Sequence, residues 1–591
     1  AASDVYKRQI FVDTNSKIWI ATNCGLSLFD PFRETFRNFK DVSGIHYTIQ
    51  RAIYNVYSTS DDRIWVGTVS DLCYFDSKDT DLILSGKKNV NHMFIQDIYW
   101  GISNPTVYCV FEDSFKNVWI GSNGGGASFI SSTSSFFHSW RINKIPGVTN
   151  GLNDKEVLTI CVADNGNIWM GTDGGGINVN IDGRNCMFYS HDTGDISSNT
   201  YHSSLKDSNG DLWFGNMYNE MGIDVFISKE GRFIHYTPQG NGSVIYCLFE
   251  DNQRNVWIGS NNGLEIYNLI TKKKDFLNKE NSQLLTNEIK AVSQDKNGNI
   301  WIGTLNKGIS IYNPESKTMK HINEHTIFEN CVINQIFRDS KNRIWIATTE
   351  GLVLFPNEQS DTYQLFNTQN GLACNLICSI EEDSEGNIWL STHSGISCFI
   401  ESEQRFLNYD HKDGTLFGTY MNNSVGKAQD GTIYFGSING VCYFNPKDRP
   451  SNIILPPVIF TDFKVYGRNP HEDAIDTSIP MTNGKIMLNH NQNIFSITFN
   501  VMNKSLQGKV EYAYKLEGLE ENWINIGGDN QVTFRNIPYR NYKLHIKARY
   551  KNQEWQTNYS TLFISINPPF WLSWWAKLIY IVSTVSYTHL T

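Results

Sequence analysis

The stretch that decides the fold is residues 295–304, which read Asp-Lys-Asn-Gly-Asn-Ile-Trp-Ile-Gly-Thr. An apolar run precedes it and Gly308 follows it, so it predicts two strands joined by a hairpin, with a third strand after the glycine. The phrase recurs ten times, every 44 residues between Trp169 and Trp389. A period in the mid-forties is typical of propeller blades, each with four antiparallel strands. The ten aromatic positions are Trp19, Trp65, Trp119, Trp169, Trp213, Trp257, Trp301, Trp345, Trp389 and Tyr434.

The repeated residues have structural explanations. Each tryptophan ring is expected to lie between neighbouring blades, where burial of ~150–250 Å² at ~25 cal/mol/Å² contributes roughly 4–6 kcal/mol before opposing terms. The glycine triplets at 124–126 and 174–176 lack the lysine and the helix that a phosphate-binding loop needs. We therefore interpret the repeat as scaffold.

Composition and motifs exclude several functions. The chain has 591 residues and a net charge of −10, so no basic surface indicates a nucleic-acid partner. It lacks the Gly-x-Ser-x-Gly, His-Glu-x-x-His and P-loop motifs, so we predict no catalytic residue. Cys374 and Cys378 are isolated from other ligand types, so we predict no metal site and no cofactor.

The cysteines have a pattern of their own. There are eleven, an odd number, and several occupy matching apolar strand positions. We predict buried thiols and no disulfide framework, which mass spectrometry can check. The matching positions are Cys109, Cys161 and Cys247 on first strands, and Cys73, Cys398 and Cys442 on third strands.

Counting strands divides the repeats into two propellers. Sets four to nine each have a fourth strand, whereas the tenth runs directly into the Pro-containing segment 449–457. The unused strand is at residues 136–140, just before the fourth set. We predict that it pairs with the last third strand, near residues 441–444, and closes a seven-bladed ring over residues 131–452. Residues 10–130 are then the last three blades of an earlier propeller.

Beyond residue 453 the pattern changes to short alternating segments. About seven of them before residue 568 predict an immunoglobulin-like β-sandwich over 453–568. The Trp-rich sequence 568–575 then precedes an apolar run. This order is typical of a membrane interface, so residues 569–584 are predicted to begin a transmembrane helix, with a buried terminal strand as the alternative. The predicted fold class is all-β: a partial three-blade propeller, a seven-bladed β-propeller and the sandwich, followed by that helix.

The two ends depart from these patterns. Residues 1–9 and 585–591 interrupt them and are interpreted as non-native, so the rest is expected to belong to a longer protein. Three blades cannot close, and open strand edges recruit other chains. We therefore expect the fragment 10–568 to be less monodisperse than 131–568.

These residues resemble a known family. The blade phrase resembles the two-component regulator propeller repeat. The sequence Tyr-Ala-Tyr-Lys-Leu-Glu-Gly at 512–518, followed by Trp523, Arg-Asn-Ile-Pro at 535–538 and Tyr542, resembles the three-tyrosine domain. Phe534 stands where that domain usually has a tyrosine. The whole order is similar to the sensor region of hybrid two-component histidine kinases.

The resemblance implies a receptor rather than an enzyme. It implies a periplasmic sensor at the bacterial inner membrane that binds an oligosaccharide, works as a homodimer, and is anchored by the C-terminal helix. Ligand binding would rearrange the dimer and so control a cytoplasmic kinase and polysaccharide-utilisation genes. Kinase modules are absent from this sequence.

Two other functions stay open. A propeller lyase or glycosidase would need paired carboxylates at one mouth of the ring, which sequence cannot place. A scaffold that binds another protein is the third possibility. An apolar segment directly after the sandwich favours the receptor, and an activity assay on glycans would separate it from an enzyme.

Candidate ligand residues come from one face of the ring. In a four-stranded blade, loops between strands two and three share a face with the loops between blades, and the Asp hairpins lie on the opposite face. Sugars bind aromatic plates and planar hydrogen-bonding groups, which predicts ligand contacts for Tyr201, His202, Tyr218, Asn219, His393, Tyr420 and Asn422 on the first face. Trp140 and Arg141, which mark the junction between the two propellers, complete the candidate set.

Overall fold

The chain is almost entirely β-sheet, which confirms the predicted all-β class, and it divides into two compact units. One unit is Ser135–Ile453, and the other combines Ala1–Ser134 with Ile454–Thr591. The computed structural model describes residues 7–13, 16–23, 25–38, 52–84, 91–93, 102, 104–131, 136–142, 151–181, 186–217, 222–239, 244–323, 326–357, 362–449, 455–465, 475–476, 485–503, 506–551 and 553–590.

Three blade-like sheets form the first part of the chain. Two have four strands in sequential order and the third has three. Their elements are β1 (Lys7–Val12), β2 (Ile18–Thr22), β3 (Gly25–Asp30), β4 (Thr35–Asn38), β5 (Ile53–Ser58), β6 (Arg63–Thr68), β7 (Leu72–Asp76), α1 (Thr80–Leu84), β8 (Asn91–Met93), β9 (Val107–Glu112), β10 (Val118–Ser122) and β11 (Gly126–Ile130).

Seven four-stranded sheets make up the unit Ser135–Ile453. Six of them are built from four consecutive strands each. The strands are β12 (His138–Trp140), β13 (Val157–Val162), β14 (Ile168–Thr172), β15 (Ile177–Asn180), β16 (Cys186–Tyr189), β17 (Tyr201–Lys206), β18 (Leu212–Asn216), β19 (Ile223–Ile227), β20 (Arg232–Tyr236), β21 (Ile245–Glu250), β22 (Asn255–Ser260), β23 (Leu264–Asn268), β24 (Lys274–Leu277), β25 (Ile289–Gln294), β26 (Ile300–Thr304), β27 (Ile309–Asn313), β28 (Thr318–Ile322), β29 (Ile333–Arg338), β30 (Ile344–Thr348), β31 (Leu352–Phe355), β32 (Gln364–Phe366), β33 (Ile377–Glu382), β34 (Ile388–Thr392), β35 (Gly395–Ile400), β36 (Arg405–Tyr409), β37 (Tyr420–Lys427), β38 (Ile433–Ser437) and β39 (Gly440–Phe444).

The seventh sheet closes the ring with a strand from the start of the unit. Its order is β12-β39-β38-β37, and Trp140 pairs with Val441. The first and last blades also meet, because the Ser424 hydroxyl donates to the Val157 carbonyl at 3.1 Å. The predicted pairing of residues 136–140 with residues 441–444 is therefore confirmed, although the strand itself is His138–Trp140. The domain boundaries remain a prediction.

The Asp hairpins anchor the tryptophans. In seven hairpins an Asp carboxylate accepts a hydrogen bond from the indole N–H six residues later, at 2.8–3.2 Å. In the blade of Trp301, Asp295 also accepts the backbone N–H groups of Asn297 and Asn299, both at 2.9 Å. The ring of Trp301 is 1% exposed and packs 5.2 Å from Phe355 of the following blade. The hairpin thus fixes the position of the tryptophan ring between the two blades.

The cysteines follow the apolar pattern with one exception. Cys161, Cys247 and Cys442 are buried, and burial raises the pKa of each thiol to about 12, so they stay protonated at neutral pH. Cys109 was predicted to be buried, and that prediction is wrong, because the thiol is exposed. Its strand, β9, is an edge strand of the third sheet and packs against β5 and β6 of the preceding blade.

The C-terminal part of the chain forms a two-sheet sandwich. One sheet has the order β41-β40-β43-β46 and the other β42-β48-β47-β44-β45. All seven predicted strands are present, with two short additions, β41 and β45. The strands are β40 (Val458–Val465), β41 (Ile475–Asp476), β42 (Lys485–Leu488), β43 (Phe495–Val501), β44 (Val510–Glu517), β45 (Ile524–Gly527), β46 (Gln531–Phe534), β47 (Asn541–Tyr550) and β48 (Ser560–Ile566).

The aromatic residues of the sandwich are tied to its core. The Tyr512 hydroxyl donates to Asn500 at 3.0 Å, and the Tyr542 hydroxyl donates to the Pro538 carbonyl at 2.8 Å. Phe534 is 5% exposed and packs against neighbouring rings, including Phe495 at 5.4 Å. A buried ring in that apolar contact has no need of a hydroxyl, which explains the phenylalanine at this position.

A single helix, α2 (Trp574–Leu590), follows the sandwich. It has 17 residues, and none of the described helices is long and apolar enough to cross a membrane. The helix continues past residue 584, where the pattern was predicted to break. At the other end β1 begins at Lys7 rather than at residue 10, because Lys7 and Gln9 already pair with β2.

Candidate ligand-binding site

The first strands of the seven blades surround the centre of the ring. Each contacts the first strand of the next blade, from β13 through β37 and back to β13. Six of them carry a one-residue β-bulge directly after their first residue, which re-aims one side chain of the strand. The bulged residues are Leu158, His202, Tyr246, Lys290, Asn334 and Cys378. In β37 the irregularity is larger and spans residues 421–424.

Three consecutive bulges place a cation, an aromatic ring and an imidazole together, and we call His202, Tyr246 and Lys290 the bulge arc. The Lys290 Nζ atom lies 3.3 Å from the centre of the Tyr246 ring. The His202 ring meets Tyr246 edge-on, with 5.9 Å between ring centres. A cation over a tyrosine face and a perpendicular ring pair are both favourable arrangements. The arc therefore forms one continuous surface across three blades.

Burial shapes the electrostatics of the bulge arc. Burial lowers the pKa of the Lys290 ammonium, and Cys247 and the Glu288 carboxylate offset part of this effect. Burial, followed by the charge of Lys290, lowers the pKa of His202 to about 4, so the imidazole is neutral at pH 7. Its Nδ1 atom is buried and forms no hydrogen bond of normal geometry with a described residue. The arc thus presents one ammonium group and one neutral imidazole, whose nearest hydrogen-bonding groups are the backbone of Tyr246 and of His202 itself.

A cavity of about 310 Å³ adjoins the arc in the centre of the ring. Its lining includes Cys247 and Ala291, which directly follow Tyr246 and Lys290 along their strands. The other lining residues are Leu248, Phe249, Val292, Ser293, Gln294, Gln335, Ile336, Phe337, Arg338 and Asn423. Amide side chains, the Ser293 hydroxyl and one guanidinium among apolar residues are typical of a site for a polar ligand.

The partial propeller repeats this arrangement independently. Arg8 and Tyr54 are the bulged residues of β1 and β5, and Tyr108 follows the first residue of β9. The Arg8 guanidinium lies 4.0 Å from the centre of the Tyr54 ring, and Tyr54 meets Tyr108 edge-on at 4.9 Å. A cation over a tyrosine at the mouth of the first strands is therefore a feature of both sets of blades.

Two of the predicted ligand residues are part of the core. Tyr201 is fully buried, and its hydroxyl donates to the Asp224 carboxylate at 2.5 Å. Burial and that carboxylate raise the pKa of Tyr201 far above its ordinary value. Tyr420 is 1% exposed and accepts a hydrogen bond from the backbone N–H of Leu416. Both side chains position neighbouring strands rather than face the channel.

The remaining predicted residues lie at different distances from the channel. His202 is in the bulge arc, and Asn422 is exposed beside Asn423, which lines the cavity. Trp140 lies on β12, the outer strand of the last blade, and packs 4.7 Å from Tyr443 of the neighbouring strand β39, and Arg141 follows it at this outer edge. His393 is exposed in the loop between β34 and β35. Tyr218 and Asn219 lie outside the described residues.

Sequence reasoning missed Tyr246, Lys290 and Asn334. Tyr246 and Lys290 complete the arc, and Asn334 is buried and donates to the Ile377 carbonyl at 2.7 Å. The signal that would have found them is positional. All three follow the isoleucine that opens a first strand, as His202 follows Tyr201. Aligning the first strands on that residue would have identified the whole set.

The described part of the chain offers little to a metal. It contains no group of three or more His, Cys, Asp or Glu side chains arranged to hold an ion. Two deeply buried carboxylates are already used: Asp224 accepts Ser197 and Tyr201, and Glu265 accepts Tyr236 and a backbone N–H. These two carboxylates connect loops to strands through their hydrogen bonds, as buried polar groups commonly do when their hydrogen bonds are satisfied.

Comparison with known proteins identifies the architecture. The two component regulator propeller family matches residues 101–124, 151–174, 239–262, 283–306, 327–350 and 371–394, and the Y_Y_Y domain family matches residues 503–567. Histidine kinase P4 of Formosa agariphila is 31% identical over 175 residues, a match that covers 29% of this chain and only 13% of that kinase.

A solved structure extends the similarity to nearly the whole chain. It is the extracellular domain of a putative hybrid two component system from B. thetaiotaomicron, with a TM-score of 0.80 and 37% sequence identity. The match covers 95% of this chain and 73% of that one. The resemblance drawn from the blade phrase and the tyrosines is thereby confirmed. The chain belongs to the family of extracellular sensor domains of hybrid two-component systems.

Proposed function

We propose that this sensor domain binds an oligosaccharide at the channel mouth of the ring formed by Ser135–Ile453. The observation that carries the proposal is the bulge arc, where the Tyr246 ring lies beside His202 and Lys290. Aromatic faces and converging polar groups are what sugar rings and their hydroxyls require. The adjoining cavity of about 310 Å³ has room for one sugar residue with its amide-lined wall within reach.

Signalling would follow from differential binding. In this proposal the domain acts as a homodimer on the periplasmic side of the inner membrane and passes a dimer rearrangement through the Y_Y_Y domain to a cytoplasmic histidine kinase. That kinase would control polysaccharide-utilisation genes. The ligand can shift the equilibrium only if it binds one dimer geometry more tightly than the other. The proposal therefore requires a difference in ligand affinity between the two dimer geometries, because equal binding to both would not produce a signal.

The test is calorimetric titration of the full chain with a panel of neutral and charged oligosaccharides. At least one is expected to bind, and Tyr246→Ala is expected to weaken it by about tenfold or more because the stacking face is lost. Tyr539→Ala is the matched control, since Tyr539 is 51% exposed on the sandwich. Absence of binding across the panel would refute the proposed function. Binding that Tyr246→Ala leaves unchanged would refute this location.

A further inference from the structure

We propose that the ligand carries an oxyanion, a carboxylate or a sulfate, and that Lys290 and His202 bind it. This inference rests on the proposed function and narrows its ligand to acidic oligosaccharides. Three features of the described residues support it: a desolvated lysine with no counter-ion, a neutral imidazole beside it, and a cavity wall without carboxylates.

The lysine is the first step. An ammonium group that loses water needs a paired charge or strong acceptors, because desolvation disfavours the charged form. Among the described residues, no carboxylate lies within 4 Å of Lys290 Nζ to form an ion pair. Glu288 is close enough to influence it but does not neutralise it by contact. The Tyr246 face at 3.3 Å compensates only in part, since a cation–π contact is weaker than a hydrogen-bonded ion pair. An anionic ligand would supply the missing partner.

The imidazole is the second step. His202 lies close enough to Lys290 for the ammonium charge to disfavour its protonation. A neutral imidazole carries one N–H, and the hydrogen-bonding groups nearest to the ring are the backbone of Tyr246 and of His202 itself, while Nδ1 makes no hydrogen bond of normal geometry with a described residue. One oxyanion between the two side chains would accept from the ammonium and from the imidazole N–H together. Such charge-assisted bonds are stronger than neutral ones.

The cavity is the third step. The protein has ten more acidic than basic residues, yet the lining contains no Asp or Glu among its described residues. It contains one cation, Arg338, for which the described residues supply no ion pair. A wall free of carboxylates does not repel an acidic sugar. The Asn423 amide and the NH2 group of Gln335, whose carbonyl oxygen accepts the Ile380 N–H, remain suited to its hydroxyls.

The experiment compares probes that differ in charge. The full chain is titrated with oligogalacturonides, sulfated disaccharides, neutral galacto-oligosaccharides and inorganic sulfate. We expect an acidic probe to bind about tenfold or more tightly than its neutral counterpart, with affinity falling as salt rises. The carboxylate and sulfate arms distinguish the two sources of the oxyanion. If only neutral sugars bind, this inference is overturned while the proposed function stands.

Two variants assign the effect to the residue. Lys290→Met is expected to reduce affinity for the acidic probe about tenfold or more, and Lys290→Arg is expected to retain most of it because the charge is kept. Lys229→Met is the control, since it removes the same charge from an exposed turn between β19 and β20. Equal binding by Lys290→Met and wild type would overturn the inference. So would a failure of every acidic probe and sulfate to bind wild type and Lys290→Arg.

Discussion

At the scale of single residues, the hydrogen bond between an Asp carboxylate and an indole N–H is the unit that the repeat preserves. The blade of Trp169 lacks this bond. Ala163 replaces the aspartate, and the Trp169 Nε1 atom is buried without a partner among the described residues. The turn itself is unchanged, because the Gly166 N–H still donates to the Ala163 carbonyl at 3.0 Å. Asn165 supplies part of what is missing by accepting the Asn167 N–H.

We predict that Ala163→Asp stabilises the protein. The new carboxylate would enter a turn of the usual shape and accept the orphaned indole N–H of Trp169. A buried donor without a partner costs about 1–3 kcal/mol, so the expected gain in free energy of unfolding is about 0.5–2 kcal/mol after desolvation of the carboxylate. Denaturant unfolding monitored by tryptophan fluorescence measures it. A loss of stability would show that the turn does not accommodate the acid.

The opposite substitution, from Asp to Ala, tests the Asp–indole hydrogen bond in a blade that has it. Asp295→Ala removes the acceptor of the Trp301 indole, of the Asn299 amide and of two backbone N–H groups. We expect the free energy of unfolding to fall by about 1–3 kcal/mol. Asp295→Asn, which keeps an acceptor oxygen, should lose less. Equal losses for the two variants would mean that the charge, not the geometry, stabilises the hairpin.

At the scale of elements, side chains on the hairpin face join neighbouring blades. Ser340, in the hairpin before β30, donates its backbone N–H at 2.8 Å and its hydroxyl at 2.6 Å to Glu382 of the following blade. Ser208 and Glu250 make the same contact three blades earlier in the chain. Each contact joins two residues that are 42 positions apart in the sequence, close to one blade period. The repeat period thus appears again as a set of inter-blade hydrogen bonds.

A pH-dependent contact occurs on the same face. Arg343 binds Glu401 through both guanidinium nitrogens, at 2.6 and 2.9 Å, and also binds Asp339 at 2.6 Å. The hydrogen bonds from Arg343, and then those from Lys341, lower the pKa of Glu401 against the opposing effect of burial. A lowered pKa in the folded state means that stability is present above the unfolded-state pKa and is lost as pH falls through the folded-state value.

We therefore predict that Glu401→Gln flattens the acid limb of the stability curve. At pH 7 the variant should lose about 1.5–3 kcal/mol, because it keeps the hydrogen-bonding shape but not the charge. The difference from wild type should shrink as pH falls below about 4.5 and Glu401 becomes protonated. Denaturant midpoints between pH 7 and pH 3 measure this. A difference that stays constant with pH would contradict the assigned role of the carboxylate.

The closing strand depends on one glycine. Gly440 has φ +112°, and a Cβ atom there would lie 2.1 Å from the Trp140 carbonyl oxygen. Gly440→Ala is predicted to destabilise the protein by about 1–3 kcal/mol more than Gly431→Ala does. The control is matched, because Gly431 also has positive φ, at +93°, but open space around it. Thermal unfolding compares the two. Equal losses would show that backbone strain alone explains both and that contact with Trp140 is unimportant.

At the scale of the whole molecule, the sequence predicted what periodicity and strand count determine. The blade period, the hairpins, the closing strand and the sandwich strands all follow from patterns that repeat or alternate. The ligand face was only partly predictable. His202 was found because it is a polar residue at the start of a strand. In the sequence, Lys290 resembles an ordinary surface lysine, and only the structure shows that it lies over the Tyr246 ring. Tyr201 resembles a ligand residue in the sequence, but the structure shows that it is buried. A single sequence shows neither effect, because both depend on which blades are neighbours.

The last prediction concerns the independence of the ring. Residues 135–453 contain every strand of the seven sheets, including His138–Trp140, so this fragment is expected to fold alone and unfold in one cooperative transition. A fragment of residues 143–453 lacks that strand and leaves β39 with an unpaired edge, which exposes backbone groups and the apolar contacts of Trp140 with Tyr443. It should melt at a lower temperature and associate at micromolar concentrations. Calorimetry and size-exclusion chromatography compare the two. If the shorter fragment is as monodisperse and as stable as the longer one, the ring closes without the strand His138–Trp140. The seventh blade would then need only β37, β38 and β39.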